Sequence, residues 1–478
     1  MERESIKIKT KKLIESKIFI LILSVLTFLC WLSRSFFLST IIALFVIVLM
    51  FWVDSEFVPL ISVYFLIMGG RSVYKAGNIT NVVGIISIIL IVILGCVLSF
   101  FLIKDIIKNF SAYSHKLSGD RVIISMLILG VYMIFTLINT PLLGSGVLYI
   151  VKCGVIMLMG ICIILKVPKT KTNKELITFA LVAIIYAIFL EFLVRLTYVA
   201  THVDYMYSAR NFYFREYESY ATFDLALECK ELGLFWSVSN HYIILVNISL
   251  IAAIFLMICY KKTSNYIYGT IAIVLALIMN YFCRCRAGYL ALMVSAICGL
   301  IFIFLRNKSA KFNLITYMLL FVMGILIFTI TLYIITPAKF LNYFNDAGSG
   351  RSQVFKVAID QFKSHLILGT GVGSSKYYLA KYCEYDYQLF NYHNVVLQVL
   401  STMGIAGMAL FGYHMYQVIY RIWRKDFYSL MALTMLVYMM VNGMLDTIFF
   451  NWTYMSIFFM AFFMIGERPK DNKLIYLF

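Results

Sequence analysis

Charge is scarce in this chain: Asp, Glu, Lys and Arg together make up 13% of 478 residues, and only 23 of them are acidic. A soluble domain needs roughly twice that charged share to cover its surface, so a soluble fold is excluded and no room remains for a large soluble domain. Cysteines are present, ten in all, but no C-x-x-C spacing and no Cys–His pairing at zinc spacing occurs. That excludes a zinc ribbon and a dithiol redox motif, and the mostly intra-helical cysteines read as small packing residues. The first apolar segment lacks a small-residue cleavage pattern and runs straight into further apolar segments, which predicts a retained anchor. A Walker-type lysine after a glycine-rich turn is also missing.

What remains is overwhelmingly apolar: 62% hydrophobic, 17% aromatic, with a mean hydropathy of +0.90. A membrane-crossing helix takes ~20 apolar residues. Apolar runs at 17–33, 36–53, 57–70, 82–103, 121–139, 146–165, 176–198, 238–260, 265–282, 286–305, 313–335, 393–420, 427–448 and 450–466 predict an all-α polytopic membrane helix bundle of about 12–14 spans. We read residues 1–478 as one integral membrane domain. The short 57–70 run, tied to its predecessor by Asp54-Ser55-Glu56, reads either as a span or as part of a re-entrant element.

The net charge of +18 would suggest nucleic acid in a soluble protein. Here, placing the N-terminal Lys7, Lys9, Lys11 and Lys12 in the cytoplasm puts every later basic connector on that side: 104–121, Lys166 to Lys174, Lys261-Lys262, Arg306 to Lys311, Arg421 to Lys425 and Arg468 to Lys473. The excess charge is then an orientation signal, with both termini cytoplasmic and no nucleic-acid partner implied.

Two connectors are far longer than the rest, 200–237 and 337–392, and both fall on the outer side. Loops of that length are commonly functional. The first carries Arg210 and Arg215 among Tyr205, Tyr207, Phe212, Tyr213, Tyr217 and Tyr220, a mixture suited to sugar rings and phosphates and equally to an aromatic belt at lipid headgroups. The second predicts a short amphipathic helix near 351–366. Phe355, Ile359, Phe362 and Leu366 form its apolar stripe, resting on the bundle or at the lipid interface, and Arg351 lies near its start. Gly369-Thr370-Gly371-Val372-Gly373 then predicts a tight turn or an anion-binding nest. His393 and Asn394 open the next span at its outer mouth, with Gly404 and Gly407 read as close helix-packing points about three turns below. Cys229 and Cys383, both in outer loops, are placed to form a disulfide if their geometry allows.

Arg284 and Arg286 occupy an outer connector between two apolar runs, where cations face a cavity, a partner, an anion or the headgroup region. Glu191 and Arg195, four residues apart on one span, neutralise one another. Lys152 and Asp446 lie in or near spans and are further candidates for lining a cavity.

The order of these motifs resembles the O-antigen ligase and O-antigen polymerase family of bacterial membrane glycosyltransferases. The resemblance is carried by Gly233-Leu234-Phe235 with Asn240-His241, by Arg286-Ala287-Gly288, by Gly350-Arg351-Ser352 with Phe355 and Ala358, by Leu368-Gly369-Thr370-Gly371, and by the H-N-x9-G-x-x-G run from His393 to Gly407. It covers about 233–407. Cys285 stands where the family often has Ser, and Phe355 where Trp is common. Arg210, Arg215 and Arg351 also lack the glycine ten residues away that is associated with the polymerase branch, which weakens that narrower assignment.

The resemblance implies a GT-C-like bundle in the bacterial cytoplasmic membrane. Such a bundle moves an oligosaccharide from polyprenyl diphosphate to an acceptor sugar hydroxyl on the outer face, without cofactor or metal. It also implies chain-length regulators or flippases as partner proteins. Arg286 and Arg351 would hold the departing diphosphate, and His393 would orient or deprotonate the acceptor. Arg284, Arg210, Arg215, Asn394 and Asn240 would contact phosphate or sugar. Asp360, Glu384 and Asp386 are rival bases in the same loop. A polymerase is the leading expectation, because both long outer loops carry arginines. A ligase that transfers finished glycan to a lipid or protein anchor is the alternative within the class, and a lipid-linked oligosaccharide flippase the alternative outside it.

Overall fold

A computed structural model describes residues 2–32, 41–42, 45–46, 48–50, 52–55, 104, 107–201, 239–283, 285–306, 351–383, 391–424, 426–445, 458 and 460–466. Among them there is no strand, and the protein is an all-α polytopic membrane bundle. Among the described residues, five helices are long and apolar enough to cross a membrane: Arg121–Asn139, Lys171–Val194, Thr263–Tyr281, Val395–Ile422 and Phe427–Met444. A bent pair, Glu4–Ile14 and Lys17–Cys30 with a 68° break, makes a sixth when taken together. The sequence-predicted runs at 57–70, 82–103 and 313–335 lie outside the described residues, as do the first long loop from 202 to 238, Asp446, and Glu384 to Phe390 of the second.

The chain forms two compact units, Met1–Lys108 with Lys166–Gly288, and Asn109–Leu165 with Tyr289–Phe478. The first contains α1 (Glu2–Ile14), α2 (Lys17–Leu32), α6 (Lys171–Thr201), α7 (Ser239–Cys259) and α8 (Thr263–Cys283). Here α6 is apolar around its circumference, and Ile177, Phe179, Leu181, Val182, Ala183, Ile184 and Ile185 are all fully buried, as expected of a core helix in contact with several neighbours. It packs on α2, α7 and α8. The Ser249 hydroxyl donates to the Leu181 carbonyl at 2.8 Å, and Tyr186 to the Tyr268 carbonyl at 2.7 Å.

The polar groups of this unit gather at helix ends. Glu175 accepts from Lys17 at 2.5 Å, from Lys262 at 2.7 Å and from Asn265 at 3.0 Å. Lys11 donates to the Asp54 carbonyl at 3.0 Å, and Ser55 to Glu15 at 2.8 Å. Lys17, Glu175 and Lys262 belong to helix ends and connectors that the charge pattern assigns to one side of the membrane. Their convergence fits the expected alternation of α2, α6, α7 and α8.

The second unit contains α3 (Phe110–Gly119), α4 (Arg121–Thr136, continued by a 3-10 turn Leu137–Asn139), α5 (Leu143–Lys166), most of α9 (Arg286–Arg306), α10 (Arg351–Ser364), α11 (Ser375–Tyr382), α12 (Val395–Ile422) and α13 (Phe427–Leu445). Helices α4 and α12 run antiparallel, as three side-chain contacts show: Asp120 with Arg421 at 2.6 Å, Ser125 with His414 at 2.9 Å, and Tyr132 with the Met403 carbonyl at 2.7 Å. Asp120 caps α4 by accepting from Val122 and Ile123 at 3.0 and 3.2 Å. Its other oxygen holds the buried Arg421 guanidinium, which also donates to the Ile465 carbonyl at 2.8 Å and lies over the Phe462 ring at 5.3 Å. A buried charge is tolerated at a membrane helix end only when paired in this way.

Candidate active site

The described part of the second long connector, residues 351–383 and 391–392, is structured and lies against α12. Asn394 is the N-cap of α12, its Oδ1 accepting from the amides of Val396 and Leu397, both at 3.0 Å. This satisfies two of the donors that a helix start leaves free. The same side chain donates through Nδ2 to the Met444 carbonyl at 2.9 Å, which ties the start of α12 to the end of α13. Immediately before it, His393 has φ 52°, in the left-handed region. A non-glycine residue persists there only when its surroundings over-determine it, and such positions concentrate at functional sites.

Helix α12 is broken ten residues further on. Gly404 has φ 68° and ψ −167°, a backbone geometry essentially restricted to glycine. The segment 366–371 inserts into the break and pairs with the freed backbone. Ile405 and Ala406 donate to the carbonyls of Leu366 and Ile367 at 2.8 and 3.3 Å, and Thr370 and Gly371 donate to those of Ser401 and Thr402, both at 2.9 Å. Gly404 is thus a helix break completed by a loop, a stronger role than the helix-packing point read from sequence. Gly407 does pack closely, where an added Cβ would crowd the Met403 side chain and approach Tyr132 at 3.1 Å.

The G-x-G-x-G run is a turn, with φ of 70°, 90° and 77° at Gly369, Gly371 and Gly373. A Cβ at Gly371 would stand 2.6 Å from the Thr136 carbonyl, so the turn is pressed against the end of α4. Asn139 donates to the Gly369 carbonyl at 3.0 Å and fixes it there.

Helix α10 begins at Arg351 and packs on α12. Its buried face is Val354, Val357, Ala358 and Gln361, not the Phe355–Ile359–Phe362–Leu366 stripe; Phe355 and Phe362 are half-buried, and Ile359 and Leu366 are exposed. The reason is that the helix carries two apolar stripes and one polar one. Small residues face the bundle, while the larger stripe is left outward, continuous with exposed Ile367 and Leu368, in the manner of an interfacial helix. Val354, Val357 and Ala358 form one core with Leu379 and the fully buried Tyr392. Val354 lies one turn from Arg351, and Tyr392 directly precedes His393, so this core joins the two motifs.

Buried polar groups with hydrogen-bond partners lie around Tyr392. Its amide donates to Gln398 Oε1 at 3.0 Å, Gln398 donates to Ser375 at 3.2 Å, and Thr370 and Ser374 share a hydrogen bond of 2.8 Å. Burial pushes the Tyr392 phenol well above its ordinary pKa, with a smaller opposing effect from Ser401. Gln398 and Ser374 were not singled out from sequence, and Thr370 was read only as part of the glycine-rich turn. A polar residue in the first turn of an apolar run is the signal that would have found Gln398.

In the first unit, α8 ends at Cys283 and α9 opens at Arg286. Cys285 is buried, and a Cβ on Gly288 would come within 2.8 Å of Ile243, so α9 meets α7 closely just after the arginine. Two buried asparagines support this junction: Asn280 donates to Asn247 Oδ1 at 2.9 Å, and Asn247 to the Gly288 carbonyl at 3.5 Å. Sequence reading passed over both, although an Asn inside an apolar run is informative because it must find a partner. Asn240 lies in the first turn of α7. Arg284, Arg210 and Arg215 fall outside the described residues, as does Cys229, whereas Cys383 carries a free thiol that burial pushes upward in pKa. Asp360 is exposed on α10. Among the described residues no group of three His, Cys, Asp or Glu is arranged to hold a metal ion.

Residues 271–412 match the family model described as O-antigen ligase, a stretch that includes Arg286, Arg351, His393, Gly404 and Gly407. No curated protein matches the chain. The chain is therefore a multi-pass membrane protein whose residues 271–412 are similar to the O-antigen ligase family, for which a ligase or polymerase type of glycosyl transfer is implied.

Proposed function

We propose that the protein polymerises a surface polysaccharide on the outer face of the bacterial cytoplasmic membrane, transferring an oligosaccharide from polyprenyl diphosphate to an acceptor sugar hydroxyl. In this reading the acceptor oxygen attacks the anomeric carbon, the bond from that carbon to the diphosphate oxygen breaks, and polyprenyl diphosphate departs. His393 takes the hydroxyl proton on an imidazole nitrogen. Arg286 and Arg351, permanently charged, hold the diphosphate oxygens as negative charge develops on them. Arg284, Arg210 and Arg215 supply further contacts to phosphate or sugar. Asn240 is a further candidate contact to the glycan, whereas the Asn394 side chain acts through the cap that holds His393 in place.

The observation that carries the reading is the shared core of Val354 and Tyr392, which brings the Arg351 and His393 motifs into one substructure. A left-handed histidine at the head of an interrupted helix fits a positioned base better than a transport pathway, whose cations would line the bilayer midplane. The test is turnover of a polyprenyl-diphosphate oligosaccharide by the purified protein in nanodiscs. Arg351→Ala and His393→Ala should each lower the rate by at least about 100-fold, and a wild-type rate in either variant would overturn the assignment. Gene deletion separates polymerase from ligase: single repeat units on the cell surface support polymerisation, whereas full-length polymer stranded on the carrier lipid supports ligation.

A further inference from the structure

Helix α11 presents an exposed aromatic arc. Tyr377 and Tyr382 are 37% and 52% exposed, and Tyr378 lies half-buried between them. The Tyr377 and Tyr378 rings meet edge to face at 5.2 Å, and Tyr378 and Tyr382 lie near-parallel with centroids 6.3 Å apart. The Lys381 amine sits over two of these rings, 5.9 Å from the centroid of Tyr377 and 5.2 Å from that of Tyr382. Three rings and one ammonium thus form a contiguous patch whose geometry is held by their mutual contacts.

Two ligands are compatible with exposed tyrosines, lipid headgroups and sugar rings, and the neighbouring helix separates them. The outward face of α10 and the residues that follow it expose branched aliphatics, Ile359, Leu366, Ile367 and Leu368, with Phe355 and Phe362 only half-buried in the same stripe. The exposed residues of α11 are Tyr377, Ala380, Lys381 and Tyr382, with no branched aliphatic side chain among them. Rigid tyrosines offer flat apolar area plus a hydroxyl at low entropic cost, which matches the C–H faces and hydroxyls of pyranose rings. Position points the same way: Tyr378 packs against the core that contains Tyr392, so the patch is continuous with the residue preceding His393.

We propose that Tyr377, Tyr378, Lys381 and Tyr382 form a glycan-binding platform that holds the saccharide chain beside His393, with the Lys381 ammonium donating to hydroxyl or carboxylate oxygens. This rests on the proposed transferase reading and adds the surface along which the chain lies. The test uses full-length protein in nanodiscs and, as probe, the producing cell's own polysaccharide, cut to oligosaccharides and freed of lipid by mild acid. Wild type and the control Gly412→Ala should bind the probe alike. The double variant Tyr377→Ala/Tyr382→Ala should bind about tenfold or more weakly, and Tyr377→Trp/Tyr382→Trp should retain binding. Thermal unfolding of each variant shows whether the fold is kept; a double alanine variant that unfolds early is replaced by Lys381→Glu, which should weaken binding to the same extent.

In cells, the double alanine variant should make shorter polymer while still joining the first repeat units. Probe affinity unchanged by either the double alanine variant or Lys381→Glu overturns the platform, as does a change confined to reconstitution yield, which would mark a lipid contact. Full turnover by Arg351→Ala with probe binding still lost in the tyrosine variant would instead sink the transferase assignment and leave the platform standing.

Discussion

The Ile405 amide donates to the Leu366 carbonyl at 2.8 Å, so a membrane helix interrupted at Gly404 is completed by backbone from a loop that precedes it in the chain. Unpaired backbone groups are costly in a membrane protein, and irregular backbone persists there only where protein satisfies it. Interruption and inserted loop therefore depend on one another. Gly404→Ala places a Cβ against the Ile367 carbonyl in a conformation that other residues avoid. It should destabilise the fold by about 1–3 kcal/mol or more, measured as a fall in melting temperature in detergent. Gly412, on the same helix with open space around it, is the control, and Gly412→Ala should be neutral or mildly stabilising.

Asn394→Ala removes the cap acceptor that takes two amide hydrogen bonds, together with the bond to Met444, and should cost about 1–2 kcal/mol. Asn394→Asp keeps the cap acceptors and loses only the donation to Met444. If the cap positions His393, the Asp variant should retain most of the turnover that the Ala variant loses. Equal loss in both would show that the amide has a direct part in transfer.

Asp120→Ala leaves the buried Arg421 guanidinium without its carboxylate and should cost about 3–5 kcal/mol. This pair lies at the opposite end of α4 from the turn that carries Gly369 to Gly373. The variant should lower the yield of folded protein while leaving the rate per folded molecule intact, which a turnover assay normalised to a folding-sensitive chromatographic peak resolves.

Asn280→Ala removes the Asn280 donation to Asn247 and loosens the Gly288 junction after Arg286. The expected signature of a positioning residue is a KM for the lipid-linked donor raised several-fold, with a stability loss of about 1–3 kcal/mol. A stability loss with unchanged KM would make the pair purely structural.

Much of this was legible from residue order. Apolar runs gave the helices because length and hydropathy suffice for a span, and Lys17, Glu175 and Lys262 meet as the charge pattern requires. The onset of α12 at His393-Asn394 was visible as well. What sequence could not reveal was which stripe of α10 faces inward: two apolar stripes compete, and only the packing of Val354 and Ala358 against Tyr392 decides. Nor does a G-x-x-G run state whether its first glycine packs or breaks the helix, since that depends on a loop able to occupy the gap. The asparagines at 247 and 280 went unread because they are single polar residues within apolar runs, and their meaning is their pairing.

We propose that Arg286, Arg351 and His393 serve the same transfer reaction. The decisive measurement is the turnover of Arg286→Ala, Arg351→Ala and His393→Ala, singly and combined, on a labelled polyprenyl-diphosphate oligosaccharide in nanodiscs. Groups that act as a unit are strongly non-additive, so each single variant should lose nearly as much activity as the triple. A wild-type rate in any single variant, or losses that simply multiply, would contradict the account.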